Sequence, residues 1–249
     1  MLPLYLTFAV IVGLIILFYE VGFRIGKNSL LKKKLVESST LGQIAGGLLG
    51  MLAFVLAITF SIVNSHYSMR QKMVLEEANA IGTAHLRAGL LPAEQGAELK
   101  SLLEEYTDTR LELIDKKTRP QAMQRSVEIH GLLWDQARAA ALEETNTNSS
   151  LVLQAINEVI DMHSRREAAG LNYSVPYSVW IVLFLISSIS MFTLGYQAGF
   201  NQSRKWLAII PLVLAFGALT VLIVDLNNPQ EGFIRIGQEP IVNLNESFN

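Results

Sequence analysis

Residues 44–63 read IAGGLLGMLAFVLAITFSIV, twenty positions without a charge, and the chain then runs through NSHYSMRQKMVLEEANAIG at 64–82 without meeting a proline. A helix rising 1.5 Å per residue needs about 20 residues to cross the hydrocarbon core of a bilayer. The first stretch therefore predicts a membrane span. The second predicts that the same helix continues beyond the lipid, now carrying Arg70, Glu76 and Glu77. Outward from this segment, three more runs lack any charged residue: Leu2 to Tyr19, Val175 to Phe200 and Trp206 to Val224. Four such runs predict four transmembrane helices and an all-α fold. No lysine or arginine precedes the first run and its positive charges follow it, so it reads as a retained span and not as a cleaved signal peptide. Tyr19, Phe23, Tyr67, Tyr173, Tyr177, Trp180, Phe200 and Trp206 stand near span ends, where amphipathic rings suit the headgroup layer.

The expected organisation is 1–64 for spans one and two with a short basic loop, 65–174 for an extramembrane four-helix bundle, 175–226 for spans three and four, and 227–249 for a tail. Four spans put the N-terminus, the bundle and the tail on one face of the membrane. The two short loops carry Arg24, Lys27, Lys32, Lys33 and Lys34 against Glu37, and Arg204 with Lys205. By the positive-inside rule these loops are cytoplasmic, in a cell inner membrane, and the bundle is extracytoplasmic.

Within the bundle, a stripe at spacings of three and four runs through Tyr67, Arg70, Val74, Glu77, Ile81, Ala84, Ala88 and Leu91. Pro92 opens the next helix as a first-turn residue, with a stripe of Leu99, Leu102, Tyr106, Thr109 and Leu113. Lys117 to Pro120 breaks that helix. The third repeats the spacing with Met123, Val127, His130, Trp134, Ala137 and Ala141 until TNTNSS at 145–150 interrupts it. The fourth carries Val152, Ile156, Val159, His163 and Arg166, and is expected to run unbroken into the third span.

These stripes bring Arg70, Glu77, His163 and Arg166 to one layer of the bundle. Buried charges must be paired or solvated. The layer is then either a hydrated vestibule in which His163 titrates near neutral pH, or a polar cluster that fixes helix register. Asn79, Asn157, Glu158 and Asp161 sit at similar depth and would extend it.

The chain has no cysteine, which excludes disulfides and thiolate chemistry. Its four histidines, His66, His85, His130 and His163, include no pair at ligand spacing, so no metal site or cofactor is expected. Residues 65–174 hold 12 basic against 16 acidic side chains, which gives nucleic-acid binding no support. No catalytic motif is present, and the reading is non-enzymatic. In the second span Gly42, Gly46 and Gly50 recur at steps of four, followed by Ala53, Ala57 and Ser61. Small residues so spaced let backbones approach closely, whether within the protomer, between subunits or along a pore. Gly22 to Gly26 and Gly195 to Gly199 repeat the motif at span ends.

EEANAIGTAHLRAGLLP at 76–92, INEVIDMHSRR at 156–166, SVW at 178–180, LGYQAGF at 194–200 and DLNNPQEGFIRIGQEPI at 225–241 resemble the bacterial membrane proteins of the bestrophin-like family. The resemblance implies distant kinship with bestrophins, pentameric anion channels with four spans per subunit and a helical region between the second and third. Bestrophins keep that region in the cytoplasm, opposite to what the loop charges favour here, and their pore motif has no match on the second span. The tail beyond Asp225, with Gly232 and Pro240 bracketing FIRIGQE, is expected to pack as a short extended segment, with Asp225 near Arg70 or Arg166 or acting as a simple cap. The resulting expectation is a homo-oligomeric channel or pore component whose other partner is membrane lipid. The second reading is a sensory or scaffolding protein whose bundle binds a ligand or partner.

Overall fold

The computed structural model describes residues 3–31, 38–172, 174–204, 206–228 and 232–248. Lys32, Lys33, Lys34, Glu37, Tyr173 and Lys205 lie outside the described residues. Those described form an all-helical protein of eight helices: α1 Leu4–Leu31, α2 Ser38–Ala88, α3 Ala93–Glu112, α4 Arg119–Glu143, α5 Thr147–Asn172, α6 Tyr177–Phe200, α7 Trp206–Asn227 and α8 Glu239–Phe248. Four of them, α1, α2, α6 and α7, are long and apolar enough to cross a membrane. The chain divides into two compact units, Met1–Tyr67 with Ser174–Arg235, and Ser68–Tyr173 with Ile236–Asn249. Helix α2 contributes to both.

In the first unit α1 and α6 run parallel with their backbones in contact. A Cβ on Gly195 would stand 1.9 Å from the Tyr19 carbonyl oxygen, and one on Gly22 would stand 2.1 Å from that of Phe192. Gly26 and Gly199 meet Tyr196 and Phe23 in the same way, so the two small-residue motifs at the span ends interlock with each other. Tyr19 is thereby buried and lies against the Trp206 ring at 5.8 Å, where the sequence places it among headgroups. Glu20 accepts from Arg24 at 3.0 Å and Arg204 at 3.1 Å, and Arg204 lies over the Phe23 ring. These pairs tie the short loop after α6 back to α1.

In the second unit α2, α3, α4 and α5 share one core that includes Ile81, Leu103, Tyr106, Leu133 and Ile156, and Ile241 of α8 joins it. The stripe expected on α2 is the buried one: Arg70, Val74, Glu77, Ile81, Ala84 and Ala88 all face inward. Helix α2 stops at Ala88, three residues before the expected Leu91, and Pro92 is the N-cap of α3, one position before its first turn. The stripe expected on α4 holds at His130 and Ala137 and is otherwise displaced by one residue. Ala122, Ser126, Ile129, Leu133, Ala137 and Ala140 are buried, whereas Met123, Val127 and Trp134 are exposed. Ala122, Ser126 and Ala140 take inward positions beside Ile129 and Leu133, and their small size lets neighbouring helices come close. The interruption at 145–150 is also shorter than expected. Asn146 caps α5, its side-chain oxygen accepting from the Ser149 N–H at 2.9 Å, and the helix is already formed at Thr147.

Two connections differ from expectation. Helix α5 does not run into the third span: Ser174, Val175 and Pro176 are non-helical, and α6 starts at Tyr177 with Pro176 as its N-cap. Proline lacks the N–H a continuing helix needs and drives the residue before it out of the helical region. The Val175 N–H donates instead to Asn227 Oδ1 at 2.9 Å. The tail is likewise extended only in part, because Glu239–Phe248 form α8, which packs in the second unit. Leu244 sits over Gly82 of α2, Phe248 stacks on His85 at 4.3 Å, and Asn245 donates to Asp108 of α3 at 3.0 Å.

Candidate functional site

The inward stripe of α2 delivers Glu77, fully shielded from solvent, to the centre of the helical unit. Helix α3 presents Tyr106 and Arg110 one turn apart on its inner face. The Arg110 guanidinium straddles the carboxylate, with Nε 3.0 Å from Oε1 and Nη2 3.4 Å from Oε2. From α5, Arg166 Nη1 donates to Oε2, and Tyr106 Oη donates to Oε1 at 3.1 Å. One carboxylate thus answers two guanidiniums and a phenol.

The histidines complete the cluster. Arg110 Nη1 lies 3.3 Å from His163 Nδ1, and since a guanidinium only donates, Nδ1 is the acceptor and the imidazole proton sits on Nε2. His130 of α4 places its ring 4.5 Å from His163 and 5.0 Å from Tyr106. Its Nε2 is buried without a hydrogen-bond partner among the described residues.

The electrostatics follow from this geometry. Burial pushes the Glu77 carboxyl upward, but Arg110 and Arg166, with the hydrogen bonds from Arg166 and Tyr106, outweigh it and hold its pKa below the ordinary carboxylate value. Burial raises the Tyr106 phenol, and Glu77 raises it further. Both imidazoles are lowered to about 4, first by burial and then by Arg110. His163 is therefore neutral at pH 7, which favours the register-fixing polar cluster over the titrating vestibule. The surrounding guanidiniums make a second proton costly.

Of the side chains expected in this layer, Glu77, His163 and Arg166 come together. Arg70 reaches the end of α5 instead, its Nε 3.5 Å from the Ala169 carbonyl oxygen. Asp225 lies in the other unit, where it caps the tail: its two carboxylate oxygens accept from the Phe233 and Ile234 N–H groups at 2.8 and 3.2 Å. Gly232 permits this, since a Cβ there would stand 1.7 Å from Asp225 Oδ1. Asn79 is exposed, Asn157 pairs with Asp161, and Glu158 pairs with Arg165 along the surface of α5, so none of the four extends the cluster. Arg110, Tyr106 and His130 belong to it although only Tyr106 and His130 were on expected stripes. Arg110 carried a usable signal, because it stands four residues after Tyr106 and seven after Leu103, on the same helical face.

The glycines of α2 divide. Gly42 packs against the Gln197 side chain, 2.7 Å from a Cβ added there, while Gly46 and Gly50 have nothing within 4 Å. Helix α2 meets the other spans along a narrow seam of Ala45, Leu52, Leu56, Thr59 and Val63. At 100° per residue, Gly46, Gly50, Ala53, Ala57 and Ser61 form a second, exposed face roughly 120° from that seam. Ile44, Met51, Ile58 and Ile62 form a third, also exposed, roughly 120° on the other side.

The family model for the bestrophin-like domain matches residues 6–241, nearly the whole chain. The chain belongs to the bestrophin-like family. No curated protein and no solved structure matches it. Membership together with four apolar helices makes this a membrane protein of the bestrophin-like family in contact with lipid. Among the described residues, no three His, Asp or Glu side chains gather as a metal ion would require.

Proposed function

We propose that this protein assembles as a ring of identical subunits and conducts small ions, anions in the first instance, along an axis lined by α2. The observation that carries the reading is the division of α2 into three faces. A lipid-facing helix needs only one apolar surface, yet α2 exposes two of opposite character. The large apolar face of Ile44, Met51 and Ile58 suits acyl chains, and the small, partly polar face of Gly46, Gly50, Ala57 and Ser61 suits a neighbouring backbone or a narrow aqueous path. No ionisable residue lies within residues 44–63, which fits passive conduction better than proton-coupled carriage.

The reading is non-enzymatic. Its orientation follows the loop charges: Arg24 and Arg204 mark the cytoplasmic end of the spans in a cell inner membrane, with the helical unit and both termini outside. The Glu77 cluster serves this function as a fixed structural joint between α2 and α5, because its central carboxylate is sealed from water and each of its oxygens is satisfied.

The test is ion flux through purified protein in liposomes, paired with the mass of the detergent-solubilised particle. Several subunits per particle and a flux altered by Gly50→Leu are expected. A monomer or dimer without flux would discard the channel and favour a sensory or scaffolding role for the helical unit.

A further inference from the structure

The interlocked glycines of α1 and α6 have a geometric effect elsewhere in the first unit. Helices whose backbones touch at one level and cross diverge away from it. Here the touching level is at Tyr19 to Lys27 of α1 and Phe192 to Gly199 of α6, the C-terminal part of both. On the N-terminal side of this level the Phe18 and Phe184 rings of the two helices lie edge to face at 5.9 Å. Behind these rings the four spans enclose a cavity of about 220 Å³, reached by Leu14 and Phe18 of α1, Leu56 of α2, Trp180 and Ser188 of α6, and Phe216 of α7.

The wall of this cavity is apolar in effect as well as in composition. Two of its three hydroxyls are spent on their own helices, Ser188 Oγ donating to the Phe184 carbonyl at 2.7 Å and Thr220 Oγ1 to that of Phe216 at 2.8 Å, and Ser187 supplies the third. Such a space gives water few partners, and an apolar cavity of only roughly 150 Å³ already stays dry and admits a benzene-sized guest. Leu14 and Phe184 are also exposed on the outer surface, so the cavity is approached from the side of the spans. At that depth the surrounding medium is hydrocarbon chains. Trp180 stands in the first turn of α6, close after Pro176, at the level where an indole N–H serves an ester or headgroup while its ring faces hydrocarbon.

We propose that the cavity is a binding site for one acyl chain of a membrane phospholipid, with Trp180 at its mouth. The chain fills the gap that the glycine contact opens, and so completes the packing of the four spans. The site is independent of the channel reading, since every wall of it belongs to one protomer.

The test uses the full chain with Trp134→Phe and Trp206→Phe, so that Trp180 is the one tryptophan, in mixed micelles with increasing mole fraction of brominated phosphatidylglycerol. Quenching that saturates at about one lipid per chain is expected. A phospholipid adduct of the same stoichiometry is expected in native mass spectrometry. Ser188→Leu fills the cavity and is expected to weaken the saturable component at least tenfold. Thr220→Ile, a gentler filling change, guards against a failure of the first variant to fold. Quenching that rises without saturation and matches that of a chain retaining only Trp206 would overturn the proposal, as would a Trp180 shielded by a second copy of the chain.

Discussion

Replacing Glu77 by glutamine keeps the shape of the side chain and removes its charge. In the folded protein that leaves Arg110 and Arg166 facing a neutral amide in a site shielded from solvent. Breaking a buried ion pair by removing one partner costs about 3–5 kcal/mol, because the charge left behind has lost water and gained nothing. The helical unit has a little over a hundred residues, so each kcal/mol moves its Tm by about 4 °C, and Glu77→Gln is expected to lower Tm by about 12–20 °C. The assay is thermal unfolding of the detergent-solubilised protein followed by far-UV circular dichroism. The pH dependence sharpens it. The folded-state pKa of Glu77 is depressed, so its contribution is fully present above the unfolded carboxylate value and is lost as pH falls through the folded one. The glutamine variant lacks that acid limb. Exchanging the set together, as Glu77→Leu with Arg110→Met and Arg166→Met, removes charge and partner alike and is expected to recover most of the loss. A Tm change under about 4 °C for Glu77→Gln would refute the view that this carboxylate holds α2, α3 and α5 together.

The two imidazoles give a separate prediction. His130 and His163 titrate at about 4 when folded, against about 6.5 when unfolded, so the unfolded chain takes up protons first as pH drops. The histidine contribution to stability is expected to fall between pH 6.5 and 4 and to level off below, where the loss of the Glu77 contribution continues the decline, and His163→Gln should flatten part of the upper slope; NMR of the imidazole protons reads both midpoints directly. Gly195→Val is expected to prevent α1 and α6 from closing, since its Cβ meets a backbone carbonyl that no rotamer can move aside, and size-exclusion chromatography should show loss of the monodisperse particle. Gly46→Ala has open space around it and is expected to leave the protomer unchanged, gaining about 0.5–1 kcal/mol of helix propensity. Asp225→Ala removes the acceptor for two backbone N–H groups, and hydrogen exchange at Phe233 and Ile234 is expected to accelerate at least tenfold while α7 is unaffected.

The spans were legible because lipid imposes an absolute rule: an uncharged run of sufficient length has few other uses. The inner face of α2 was legible for a related reason, since Val74, Ile81, Ala84 and Ala88 frame Glu77 at helical spacing and carry it inward with them. Arg110 escaped that logic because the stripe read along this helix runs through Tyr106, Thr109 and Leu113 and passes beside it. Its spacing from Leu103 and Tyr106 could have recovered it, and charge balance points the same way, since a buried carboxylate demands a cation on a facing helix. Helix α4 misled for the opposite reason. Its larger apolar residues, Met123, Val127 and Trp134, draw the stripe to themselves, while the packing selects Ala122, Ser126 and Ala140, which are weak in any hydrophobic count. The break at Pro176 was written in the sequence and lost to the smooth hydropathy around it.

The small-residue motifs show most plainly what one chain's sequence leaves open. Gly22, Gly26, Gly195 and Gly199 lie at the same spacing as Gly42, Gly46 and Gly50, and nothing in the letters separates the two sets. In the folded protomer the first set is consumed by a single parallel contact, and of the second only Gly42 finds a neighbour. A helix interior carries glycine at a cost of about 0.5–1 kcal/mol per residue relative to alanine. Inside the α1–α6 contact that cost returns as close backbone packing. At Gly46 and Gly50 no such neighbour exists within one protomer, and the ring of subunits proposed above is what would supply it. The same reasoning separates the two apolar features of the first unit. The cavity beneath Trp180 is lined by four helices of one chain and is the site proposed for an acyl chain, whereas the small face of α2 is open at Gly46 and Gly50 and is the surface the proposed assembly would use.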